Sequence, residues 1–172
     1  MSLLLHSRPL IPWRWIGVPA LLSVIATVVL AIPVEVLGLR LPEPVFPLVL
    51  SFAWAAIRPS VLTPFAVLGL GLFLDLFWGG PPGLWAVSLL VSHASILAGR
   101  GIMTGMGRSM GPLWYLASTI LAFGAAYLIT QLDGLSQPDL LSVFWQFLAT
   151  CLLYPFARVL TERYEDADVR FR

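Results

Sequence analysis

One carboxylate stands out in this chain because it lies inside an apolar run. Asp75 sits in GLFLDLFWGGPPG, residues 71–83. A carboxylate in such a stretch is costly unless it is paired, protonated or wet, which makes it a functional candidate by default. Gly71, Asp75 and Gly79 recur at i, i+4 and i+8, on one helix face where small residues let a neighbouring backbone come close. Two roles fit Asp75: a polar contact to a partner helix or to the glycine-rich turn, or a cap on the backbone N–H groups of residues 79–83. The turn Gly79-Gly80-Pro81-Pro82-Gly83 combines residues that permit φ > 0 with residues that fix φ. It is expected to be tight and stiff, and to hold its flanking helices as an antiparallel hairpin. It lacks the lysine and the serine or threonine of a phosphate loop.

Further along, Ser88, Ser92, Ser95 and Gly99 recur at spacings of four, three and four, giving one small, weakly polar helix face with His93 beside it. There is no second histidine in an apolar run and no Cys/His cluster, so a metal site is not expected. His93 reads as a neutral, hydrogen-bonded residue of the helix bundle. Arg58-Pro59 closes another apolar run; its guanidinium either clamps a lipid phosphate or fixes a hairpin, or is one more basic residue on the inner side. No nucleophile–base pair, zinc-protease motif, serine elbow or paired intramembrane carboxylate is present. Neither catalysis nor a cofactor is expected. Cys151, the single cysteine, cannot form an internal disulfide.

The elements that position these residues follow from composition. Of 172 residues, 59% are hydrophobic and 11% charged, with a mean hydropathy of +0.90. A soluble domain carries about 25% charged residues, so this chain has too little polar surface to cover a water-facing globule. An ordinary soluble enzyme, a disordered tail and a fibrous protein are excluded, and an integral membrane protein is indicated. A net charge of +1 gives no global pull on nucleic acid. A bilayer core of about 30 Å needs about 20 apolar residues per helix. Six spans are expected, at residues 16–37, 44–57, 64–78, 84–98, 112–132 and 140–160, forming one all-α domain over residues 1–172. Spans two to four are short. Residues 99–111, rich in glycine, are expected to be a flexible loop.

Orientation follows from arginine, the only basic type besides histidine. With six spans, Arg8, Arg14, Arg58, Arg100, Arg108, Arg158, Arg163, Arg170 and Arg172 share one side, leaving only Arg40 opposite. Cytoplasmic loops carry the basic excess, so both termini are expected inside. Glu35, Glu43, Asp75, Asp133 and Asp139 then fall toward the outer side. Trp13, Trp15, Trp78, Trp85 and Trp114 lie near the expected interfaces, as a membrane aromatic belt requires.

The stretch of residues 46–100 resembles the rod shape-determining protein family MreD. The likeness lies in a short apolar helix ending in Arg58-Pro59, a helix ending in Gly71-Leu72-x-x-Asp75, and then Gly79-Gly80-Pro81-x-Gly83-Leu84. It covers about a third of the chain at motif level and the whole chain in layout. Trp78, Trp85 and both tails depart from the pattern. The resemblance implies a non-enzymatic scaffold of the bacterial inner membrane, bound to MreC and to lipid. Through MreC it would join MreB, RodA and its transpeptidase in cell elongation and lateral peptidoglycan synthesis. It also implies a fold similar to the substrate-binding subunits of energy-coupling-factor transporters. The scaffold reading places a groove for MreC on the Gly71/Asp75/Gly79 and Ser88/Ser92/Ser95 faces. The alternative is a substrate-binding subunit of a vitamin-type transporter, with Asp75, Trp78 and His93 as ligand contacts.

Overall fold

The computed structural model describes residues 13–31, 35–36, 39–40, 43–57, 60–105, 108–134 and 139–169. A wide π-type turn over Trp13–Gly17 leads into α1 (Val18–Leu30). A small antiparallel ribbon pairs β1 (Glu35–Val36) with β2 (Leu39–Arg40). The body is helical throughout: α2 (Phe46–Ile57), α3 (Leu62–Trp78), α4 (Leu84–Gly105), a 3-10 turn at Arg108–Met110, α5 (Gly111–Asp133), α6 (Leu140–Cys151) and α7 (Tyr154–Val169). Four helical stretches are long and apolar enough to cross a membrane: Trp13–Leu30, Leu84–Met103, Gly111–Leu132 and Leu140–Arg163. They mark the chain as a membrane protein. Phe46–Ile57 and Leu62–Trp78 are apolar but shorter.

Helix α2 is the central post. Ten of its twelve residues are buried, and it packs against α1, α3, α4, α5 and α7. At about 1.5 Å per residue it is only about 18 Å long. A helix ringed by protein need not match the bilayer, and one that is apolar all round belongs in the interior. The sequence FPLVLSFAWAAI meets that condition, with Ser51 as its one polar side chain.

Around this post, α3 lies against α4 and α4 against α5. Each contact turns on a glycine. A Cβ built on Gly71 would stand 2.3 Å from Ala86 Cα and 2.7 Å from Ala86 N, and one on Gly99 would stand 2.6 Å from the Trp114 ring. These positions are closed to any larger side chain without movement.

Three expectations about the elements need correction. The first helix ends at Leu30, capped by Ala31, not at residue 37; Glu35 and Val36 belong to the ribbon. Pro33 supplies the sequence reason, since proline removes a donor and disfavours helix in the residue before it. Residues 99–105 are not a flexible loop but the last two turns of α4. Glycine costs about 1 kcal/mol against alanine inside a helix, and the close seat of Trp114 on Gly99 outweighs that penalty. The last apolar stretch stays one candidate span, Leu140–Arg163, but it is not one unbroken helix. It breaks after Cys151 and restarts at Tyr154, because Pro155 has no N–H to give the carbonyl four residues back.

Candidate functional site

Helix α3 ends at Gly79, whose φ of 65° is the left-handed C-cap conformation. Asp75 sits one turn earlier, 5% exposed. Its carboxylate reaches across the turn to the start of α4. Oδ2 accepts hydrogen bonds from Gly83 N at 2.9 Å and Ala86 N at 3.4 Å, and Oδ1 accepts one from Trp85 N at 2.7 Å. The first N–H groups of a helix have no intrahelical partner, and the positive end of the helix dipole lies there. Asp75 is therefore the N-terminal cap of α4, supplied by the preceding helix. Capping was one of the two roles expected of it, but the groups capped lie further on: of residues 79–83 only Gly83 takes part.

The rest of the motif divides. Gly71 lies one turn below Asp75 on the same face and admits the Ala86 backbone, so the approach of α4 and its capping are one geometric unit. Gly83 has φ of 93°, a left-handed conformation that glycine tolerates best. Pro81 accepts at its carbonyl from Leu84 N at 3.1 Å, closing the turn. Gly80 has nothing within 4 Å of a built Cβ and is exposed, as are Gly79 and Pro82. Arg58 and Pro59 lie outside the described residues.

The serine face is also internal. Ser88 and Ser92 are fully buried. They lie between Trp85, whose ring meets Phe123 of α5 at 5.7 Å, and Gly99, which receives Trp114 of α5. Ser88 Oγ donates to Leu84 O at 2.6 Å and Ser95 Oγ to Ser92 O at 2.7 Å. Ser92 Oγ, like Ser23 Oγ of α1, finds no hydrogen-bond partner among the described residues. Of the faces expected to line a groove, Gly71, Asp75, Ser88 and Ser92 are buried within the bundle, while Gly79 is exposed and Ser95 partly so. The sequence could not distinguish a face that packs within the bundle from one that waits for another protein.

His93 faces away from the serines, into α2 and α3. Its Nδ1 donates to Ser51 O at 2.9 Å, since a carbonyl only accepts, and its Nε2 lies 3.4 Å from Thr63 Oγ1. Ser51 Oγ in turn donates to Leu89 O at 2.9 Å. Two turns on, Arg100 Nη2 donates to Ile57 O at 2.9 Å, covering a carbonyl at the end of α2. Asp75 and His93 therefore do not converge. Eight residues separate the Asp75-bonded Trp85 from His93, about 12 Å along α4. Trp78 is the last residue of α3, where its Nε1 donates to a carboxylate oxygen of Glu43 at 2.8 Å and its ring meets Trp85 at 5.2 Å. Among the described residues, no three His, Cys, Asp or Glu side chains gather to hold a metal ion.

Several contributors were not foreseen. Thr150 joins three elements: its Oγ1 accepts from Val45 N at 3.1 Å and donates to Gln146 O at 2.7 Å, while its carbonyl accepts from Tyr115 Oη at 2.9 Å. Pro155, four residues past Cys151, was the available signal for a break there. Asp139 caps α6, its carboxylate accepting from Ser142 Oγ at 2.8 Å and Leu141 N at 3.2 Å. Those bonds, the Ser142 hydroxyl first, hold its carboxyl below the ordinary value of 3.8. The spacing of Asp139 and Ser142 ahead of an apolar run is a helix-start signal. Compared with known proteins, the chain matches no family model, no curated protein and no solved structure.

Proposed function

We propose that this protein is a non-enzymatic membrane scaffold of the MreD kind, which binds MreC and helps direct lateral peptidoglycan synthesis and maintain rod shape. On this reading it crosses the bacterial inner membrane six times, with both termini cytoplasmic and α2 and α3 as the short spans. The encirclement of α2 by protein supports a short span at that place. The kinship with energy-coupling-factor substrate subunits belongs to the same proposal, as does assembly with MreB, RodA and its transpeptidase.

The observation that carries the reading is how the intramembrane polar groups are used. Asp75 caps α4, and His93 and Arg100 tie α4 to α2. These are the groups a membrane enzyme or a ligand pocket would need, and each holds helices together instead. The vitamin-type transporter reading asks Asp75, Trp78 and His93 to meet around one ligand; Asp75 and Trp78 stand at the end of α3, whereas His93 lies about 12 Å along α4 from the Asp75-bonded Trp85, which speaks against it. What remains for a partner is the exposed rim of the α3–α4 turn, Gly80 and Pro82 above all.

Co-purification tests this. Gly80→Leu fills open space and leaves the fold intact, so it is expected to reduce recovery of MreC while the variant keeps wild-type thermal stability. Full recovery of MreC with that variant removes the rim from the interface. Recovery of an ATPase pair with a coupling membrane subunit, in place of MreC and cell-wall synthases, overturns the scaffold reading.

A further inference from the structure

We infer that α6 is a hinged flap that swings about Leu152–Leu153 over the aromatic row formed by Trp85 and Phe123. The inference is independent of which partner the protein binds. It rests on an asymmetry between the two halves of the last apolar stretch. Helix α7 packs on α2 and α5, at the heart of the bundle, whereas the packing of α6 is on α5. Thr150, at its hinge end, is the one residue buried in α6. Toward the other end, Leu140, Leu141, Phe144 and Trp145 are all exposed.

The hinge has a chemical cause. Leu153 N bonds to Thr150 O, three residues back, at 3.1 Å, which tightens the chain, and Pro155 has no N–H to offer Cys151. The ladder is therefore interrupted where α6 meets α7. Below the break, Thr150 is pinned by Val45 N and Tyr115 Oη, which fixes the pivot. Along the arm, Val143 and Phe147 pack against the core, and Phe147 meets Phe123 edge-to-face at 5.6 Å and 86°. Phe123 continues the row to Trp85 and Trp78. From the break to Leu140 the arm is roughly 18 Å long. A swing of about 20°, the size of a sharp helix kink, moves its tip by roughly 6 Å and bares Phe123 to the lipid side.

Paired spin labels test this in the full chain, reconstituted in lipid nanodiscs with Cys151→Ala as background. One pair, Val87→Cys with Leu141→Cys, reports α6 against α4. The other, Ile102→Cys with Val159→Cys, reports α7 against α4. All four positions are exposed. The first pair is expected to show two distances, the longer by about 6 Å, and the second a single narrow one. Phe147→Ala is expected to raise the open-to-closed ratio about fivefold, the change that loss of about 1 kcal/mol of ring pairing gives. Pro155→Ala restores the missing donor and is expected to shrink the open population. A single narrow distance for the first pair, in both the background and Phe147→Ala, overturns the flap. Equal broadening of both pairs overturns it too, and an open population unchanged by Pro155→Ala removes the hinge from Leu152–Leu153.

Discussion

Replacing Gly71 with alanine adds one methyl group where the structure has no room for it. The new Cβ would lie 2.3 Å from Ala86 Cα, 2.7 Å from Ala86 N and 2.9 Å from Trp85 O. All three are backbone atoms, so no side chain can rotate away. Ordinary contact between carbons begins near about 3.5 Å, so α4 must retreat by roughly 1 Å at this point. Overpacking of this kind costs about 1–3 kcal/mol. The same retreat stretches the bonds from Trp85 N and Ala86 N to Asp75, now 2.7 and 3.4 Å. Hydrogen bonds to a charged group are worth about 1.5–3 kcal/mol, so weakening one or two adds about another 1 kcal/mol. The expected loss is roughly 2–4 kcal/mol. Gly80→Ala is the control, since nothing lies within 4 Å of its Cβ and its φ is not positive; it should fall within about 0.5 kcal/mol of wild type. The assay is reversible unfolding of both variants in one detergent, followed by circular dichroism. If Gly71→Ala unfolds together with Gly80→Ala, the α3–α4 contact is not as close as the argument requires.

Further expectations follow from other contacts. Asp75→Ala strips three N–H groups of their acceptor and should cost about 2 kcal/mol or more, with Asp75→Asn in between, because a buried cap combines a capping loss with unsatisfied donors; equal stability of both variants and wild type would contradict the capping role. Gly83→Ala forces a Cβ into a φ of 93° and should cost about 1–2 kcal/mol with no steric clash, measurable in the same unfolding series. Gly99→Ala pushes on the Trp114 ring rather than on backbone, so it should alter tryptophan emission more than stability, and an unchanged spectrum would count against the contact. Asp139 has its carboxyl held down by Ser142 and Leu141. Its contribution to the α6 N-terminus is therefore present above the ordinary value of 3.8 and lost as pH falls through its lower folded value. Amide exchange at residues 141–143 should rise only in strong acid, and Asp139→Ala should show the faster exchange at all pH values.

How much of this was legible beforehand depended on the kind of signal. The Asp75 cap could be read from spacing, because a carboxylate one turn before a glycine-proline turn has a short list of reachable donors. The capped groups shifted by a few residues because the reach is set by how closely α4 approaches Gly71, a tertiary fact. Residues 99–105 misled because five glycines between residues 99 and 111 look like a loop when propensity is summed locally. One of them, Gly99, is the seat of a tryptophan from another helix. The interruption before Pro155 is legible as a proline inside an apolar run, although hydrophobic length alone points to a continuous helix there. The centrality of α2 was not legible at all. Lipid-facing and protein-facing leucines look alike in a membrane sequence, because hydrocarbon surrounds both.

That likeness also bears on what holds the bundle. Without a hydrophobic drive between helices, association in lipid rests on close packing and hydrogen bonds. Among the described residues, these hydrogen bonds link α2 or the residue before it to other elements: Trp54 Nε1 to Trp15 O, Ser51 Oγ to Leu89 O, His93 Nδ1 to Ser51 O, Arg100 Nη2 to Ile57 O, and Val45 N to Thr150 Oγ1. At about 0.6 kcal/mol each in a membrane, they supply only about 3 kcal/mol together. The remainder comes from the fit of Gly71 and Gly99 against neighbouring helices and from the buried aromatic rows. Polar groups in these spans thus fix which helix neighbours which, while close packing supplies most of the attraction. A scaffold built this way spends its distinctive residues inward. On the proposed scaffold reading, a partner meets the protein at the exposed α3–α4 rim and on apolar outward faces, where substitutions alter binding without first unfolding the chain.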